Sequence, residues 1–155
     1  MTTIPEDNEE QLEQDKPTLK TLAAQYGVAK LLAHAYHHRT SGPSFFADHE
    51  FLGELYVAYD TAFDALCERA IGLGECEDST EVFKEVCEDF QECVDEQGYF
   101  TGSPFAHLLD IELAFQLSIK ELSPAASLGT QNLLAQLADD SEARCYKLSQ
   151  RIAAE

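Results

Sequence analysis

The chain has 155 residues, 29 acidic against 10 basic, for a formal net charge of −19 with histidine neutral. Its length suits one domain, and its 45% apolar content against a 25% charged fraction excludes wholesale disorder. The acidity counts against nucleic acid and anionic membranes, whose phosphates need Lys and Arg, and favours a cation as partner.

Residues 1–16 are polar and acidic, with Lys16 the only basic residue, and read as a flexible arm rather than a secretory signal. No apolar run reaches the roughly 18 residues of a membrane span. Five cysteines, Cys67, Cys76, Cys87, Cys93 and Cys145, form no CxxC pair. An odd number without a secretory signal points to reduced thiols in a cytoplasmic protein.

Residues 17–155 read as one helical domain. Leu19, Leu22, Ala23, Tyr26, Ala29, Lys30, Ala33, Tyr36 and His37 follow helical spacing over 17–40, with Pro17 suited to a first turn. Ser41-Gly42-Pro43-Ser44 stops that helix and starts another over 45–71, closed by Gly72 and Gly74. A shorter helix is expected over 81–95, opened by Asp78-Ser79-Thr80-Glu81. After a loop over 97–103 come helices at 104–122 and 127–153, separated by Ser123-Pro124. Leu108, Ile111, Leu113, Phe115, Leu117 and Ile119 are the apolar positions of the first of these. Four main helices and a short connector make an all-α four-helix bundle, with the extra helix between helices 2 and 3.

Metal-ligating residue types cluster in the first hairpin. His34, His37 and His38 end the first helix, and His49 begins the second. Asp64 and Glu68, four apart, share one helical face and suit a hard or borderline cation such as Fe²⁺ or Mn²⁺. On spacing alone they also fit solvated residues pairing with Arg69 or a Lys. A tight turn at Gly42-Pro43 brings His37 near His49. From His49 to Asp64 the helix rises about 22 Å, while the two residues point within about 60° of each other. One chain therefore cannot gather all four. Two copies packed antiparallel about a two-fold axis can, with two equivalent sites per dimer.

Residues 37–74, HHRTSGPSFFADHEFLGELYVAYDTAFDALCERAIGLG, resemble the signature of the Dps-type mini-ferritins. The matches are His37, Gly42, Phe45 or Phe46, His49, Asp64, Glu68, Arg69 and Gly74, and the last helix resembles that family's more weakly. The resemblance implies a ferritin-like bundle, two-fold dimers assembled into a hollow dodecamer, and iron oxidised between subunits before storage as ferric mineral. It implies a ferroxidase with Asp64 and Glu68 from one subunit and His37 and His49 from its partner. Peroxide or dioxygen would be the oxidant, Zn or Mn could replace iron, and the role would be protection against oxidative stress.

Two positions depart from the pattern. The family's Trp after the first histidine is His38, and its acidic residue one turn after the second is Gly53, with Glu54 adjacent. His38, His34 and Glu54 are further candidate ligands. Basic DNA-binding tails are absent, so DNA binding is not expected. Glu112, Glu121, Asp139 and Asp140 are candidates for drawing Fe²⁺ inward, against an ordinary role as solvated charges. Cys67 or a nearby Tyr can be read as a sink for single electrons or, more simply, as packing. The competing functions are a shell with a degraded site that binds metal without turnover, and an acidic helical interaction domain.

Overall fold

The computed structural model describes residues 16–94 and 100–155. The arm over 1–16 lies outside them except for exposed Lys16, as do residues 97–99 of the expected loop. Among the described residues five α-helices follow one another: α1 (Leu19–Arg39), α2 (Phe45–Gly72), α3 (Thr80–Glu92), α4 (Pro104–Leu122) and α5 (Leu128–Ile152), with a 3-10 turn at Ser123–Ala125. Among the described residues there is no strand, and no helix is long and apolar enough to cross a membrane.

Local sequence explains the boundaries. Thr18, rather than Pro17, caps α1: it accepts from the Thr21 amide, and Thr21 returns the bond to the Thr18 amide. Ser103 and Ser127 cap α4 and α5 by accepting from Ala106 and Thr130 amides. Ser44 and Ser79 hold the corresponding positions without side-chain capping bonds. Instead Asp78 accepts from the Thr80 amide at 2.7 Å, which fixes the start of α3.

α1 is the spine of the bundle and packs on α2, α3 and α4, while α5 packs on α4. Gly27 lets α3 approach α1: a Cβ there would stand 2.5 Å from Val86 Cγ2. Tyr26 stacks on Phe115 at 3.9 Å between ring centres, and Tyr59 meets both edge-on.

The bundle centre is polar as well as aromatic. Glu112 is fully buried, pairs with Arg144 through both carboxylate oxygens and accepts from Tyr59 Oη at 2.6 Å. This corrects the reading of Glu112 as a surface charge that draws cations. Its spacing from Leu108, Phe115 and Ile119 puts it on the core face, and a paired buried charge is the acceptable form of that placement. Glu121, Asp139 and Asp140 are exposed. Leu113 and Leu117 are 48% and 64% exposed. The apolar residues of α4 cover more than one face: Leu108, Phe115 and Ile119 are buried in the core, and Leu109 and Ile111 pack partly buried against it.

Candidate metal centre

The turn between α1 and α2 is tight because Gly42 takes φ 83°, where a side chain would be strained, and the Phe45 amide donates back to the Gly42 carbonyl at 3.1 Å. This hairpin brings His37 and His49 face to face, with ring centres 3.6 Å apart and planes 24° apart. Their hydrogen bonds are reciprocal. His37 Nδ1 bonds the His49 carbonyl at 2.7 Å, and His49 Nδ1 bonds the His37 carbonyl at 3.1 Å. A carbonyl can only accept, so each Nδ1 carries the hydrogen. In the neutral ring the Nε2 lone pair is then left for a metal ion, an outer-shell arrangement that fixes both tautomer and orientation.

Surrounding residues hold the pair. Thr40 Oγ1 donates to the His37 carbonyl at 2.7 Å. Phe45 stacks on the far side of His49 at 5.0 Å. Beside His49, Asp48 accepts two bonds from Arg151, at 2.8 and 2.9 Å, and so ties the start of α2 to the end of α5. Arg151 lies over the Phe105 ring at 4.5 Å. Sequence reasoning missed Thr40, Asp48 and Arg151. Asp48 and Arg151 are separated by 103 residues, so no local spacing could signal their pairing.

The other candidates surround this pair unequally. Gly53 lies against His37, where a Cβ would meet Cε1 at 3.4 Å, so the ring occupies the space above the glycine. His34 stacks on Tyr56 at 4.1 Å, and its ring centre lies 4.6 Å from that of exposed His38. Burial, and then the nearby His38 and His37, push the His34 pKa below the usual imidazole value. Glu54 is exposed.

Asp64 and Glu68 are exposed one turn apart on α2. Neither makes a side-chain ion pair or hydrogen bond among the described residues. Arg69, the expected competitor, donates instead to Thr130 Oγ1 at 3.0 Å, and Lys30 pairs with Asp60. The two carboxylates are therefore free of cationic partners among the described residues. α2 is continuous from His49 to Glu68, so the histidine and carboxylate pairs stand about 22 Å apart along one helix. Among the described residues of one chain, no three His, Cys, Asp or Glu gather around a common metal position.

Cys67, next to Glu68 in sequence, is buried. Burial, with Cys76 and Asp64 nearby, pushes its thiol up to about 11. That makes it a protonated packing residue at neutral pH.

No protein-family model matches the chain, and no curated protein matches it in sequence. Among solved structures it is similar to the DPS protein from Vibrio cholerae O1, described as a member of a broad superfamily of ferritin-like diiron-carboxylate proteins. The identity is 17%, the coverage 86% of each chain and the TM-score 0.54. The chain therefore has the ferritin-like helical-bundle fold of that protein.

Proposed function

We propose that this chain is a ferroxidase of the mini-ferritin kind, which oxidises Fe²⁺ between two-fold-related subunits and stores the ferric product inside a shell. The observation that carries the reading is the reciprocal His37–His49 pair, with both Nδ1 atoms occupied and both Nε2 atoms left to bind. Fe²⁺ is the substrate. Asp64 and Glu68 of one subunit supply two negative charges, which favour the extra positive charge of Fe³⁺, and His37 and His49 of the partner copy supply neutral nitrogens. With so few protein ligands, coordination positions stay open to water and oxidant. Two Fe²⁺ give up one electron each, and one hydrogen peroxide takes both electrons and two protons to leave two waters. Zn²⁺ or Mn²⁺ would compete for the same donors. The net charge of −19 raises the local Fe²⁺ concentration. A dodecameric shell, a cytoplasmic location and a role against oxidative stress complete the proposal.

A second reading is favoured by Gly53. Without a carboxylate beside His37, the centre can hold a first ion more firmly than a second, and a metal-binding shell with slow turnover follows.

The test is anaerobic Fe²⁺ loading followed by peroxide, with ferric absorbance recorded beside light scattering. A large assembly with rapid, saturable oxidation that D64A/E68A abolishes without loss of assembly is expected. Binding without accelerated oxidation would favour the second reading. Oxidation unchanged in D64A/E68A would refute the site.

A further inference from the structure

The sequence His34-Ala35-Tyr36-His37-His38 places two histidines at i and i+4 on α1, the spacing with which one helix face chelates a transition metal. The ring centres of His34 and His38 are 4.6 Å apart, with planes at 40°. Two imidazoles bound cis to one ion, with nitrogens at about 2.1 Å, place their ring centres about 4.5–5 Å apart. The observed separation lies within that range.

We propose that His34 and His38 form a second metal site, for a borderline divalent ion of the Cu²⁺ or Zn²⁺ class that prefers imidazole. It is separate from the iron centre. His37, between them in sequence, has its Nδ1 committed to the His49 carbonyl, and its ring centre lies 5.5 Å from His38 and 6.2 Å from His34. Neither His34 nor His38 makes a side-chain hydrogen bond among the described residues, so their ring nitrogens are free for an ion. Tyr56 holds the inner half of the site by stacking on His34, while exposed His38 supplies an outer half open to solvent. Among the described residues no third His, Cys, Asp or Glu joins the pair, and a site of two imidazoles and water suits Cu²⁺ best by the ordering of divalent affinities.

The proposal does not need iron oxidation, and its test is chosen accordingly. The full-length chain carrying C87S/H37Q/H49Q lacks its exposed thiol and the histidines of the iron centre. Titrated with Cu²⁺, it is expected to bind one ion per chain, with electron-spin resonance showing coupling to two imidazole nitrogens. Adding H38Q should weaken that binding about tenfold or more and leave single-nitrogen coupling. H38W, which restores an aromatic at this exposed position, should do the same. Adding H34Q should weaken it as H38Q does. Binding unaffected by H34Q and both His38 variants, or no two-nitrogen coupling in a background chain that keeps its helix content, would overturn the assignment.

Discussion

The imidazole of His37 hydrogen-bonds the main-chain carbonyl of His49, and the imidazole of His49 hydrogen-bonds the carbonyl of His37. Each ring is thus oriented by the backbone that carries the other, so neither can turn without releasing its partner. Thr40 braces this exchange through its bond to the His37 carbonyl. T40V keeps the shape and removes the donor. It should lower anaerobic Fe²⁺ affinity about tenfold, the smaller end of outer-shell effects. Isothermal titration of the assembled protein checks this, and unchanged affinity would mean that the two backbone bonds suffice.

Gly53 offers a gain-of-function test. A Cβ there makes ordinary contact with His37 rather than a clash. G53A should therefore stabilise α2 by about 0.5–1 kcal/mol in urea unfolding, as loss of a mid-helix glycine does, without changing iron binding. G53D adds a carboxylate beside His37 and should raise the Fe²⁺ bound per site from one toward two. Equal stoichiometry in the two variants would show that a carboxylate at 53 does not reach the ion.

Glu112 and Arg144 make the most consequential charge pair of the interior, with side chains 0% and 12% exposed. R144A leaves a buried carboxylate without its cation and should cost about 3–5 kcal/mol, read as a lowered urea midpoint. Replacing both by methionine should recover most of that loss, because well-packed apolar pairs often match buried ion pairs. If R144A costs no more than a surface substitution, Glu112 is neutralised in some other way.

Alkaline pH should loosen the fold in a defined window. Burial raises Cys67 from about 9 to about 11, and burial raises Tyr36 from about 10 to about 12. Both groups ionise earlier in the unfolded chain, so the folded state holds more protons between these values and stability falls as pH rises. Their contribution is complete below about pH 9, is lost progressively above it, and flattens beyond about pH 12. Urea midpoints measured from pH 8 to 11 check this. C67A should remove the earlier part of the slope; an unchanged slope would assign it elsewhere.

The helices were legible because their signals are local. Leu22, Tyr26, Ala29 and Ala33 mark the buried side of α1, and Gly42-Pro43 and Ser123-Pro124 mark the breaks. The proximity of His37 and His49 followed from the turn length alone. Glu112 was misread because a lone acidic residue in a helix carries no sign of an Arg that arrives from α5, 32 residues later. The exposure of Leu113 and Leu117 was not legible, because α4 is apolar on more than one side and periodicity does not say which side meets the same chain. The Asp48–Arg151 clamp beside His49 joins two distant helices and left no pattern to find.

The central claim is that each iron centre draws its histidines from one subunit and its carboxylates from another. Mixing H37A/H49A chains with D64A/E68A chains, after unfolding and joint refolding, tests it most directly. Each variant alone should be inactive. In a mixed dimer one of the two sites carries all four native residues, so random mixing in equal amounts should restore about a quarter of wild-type peroxide-dependent Fe²⁺ oxidation per chain. No recovery, with mixed dimers verified by native mass spectrometry, would contradict a shared site.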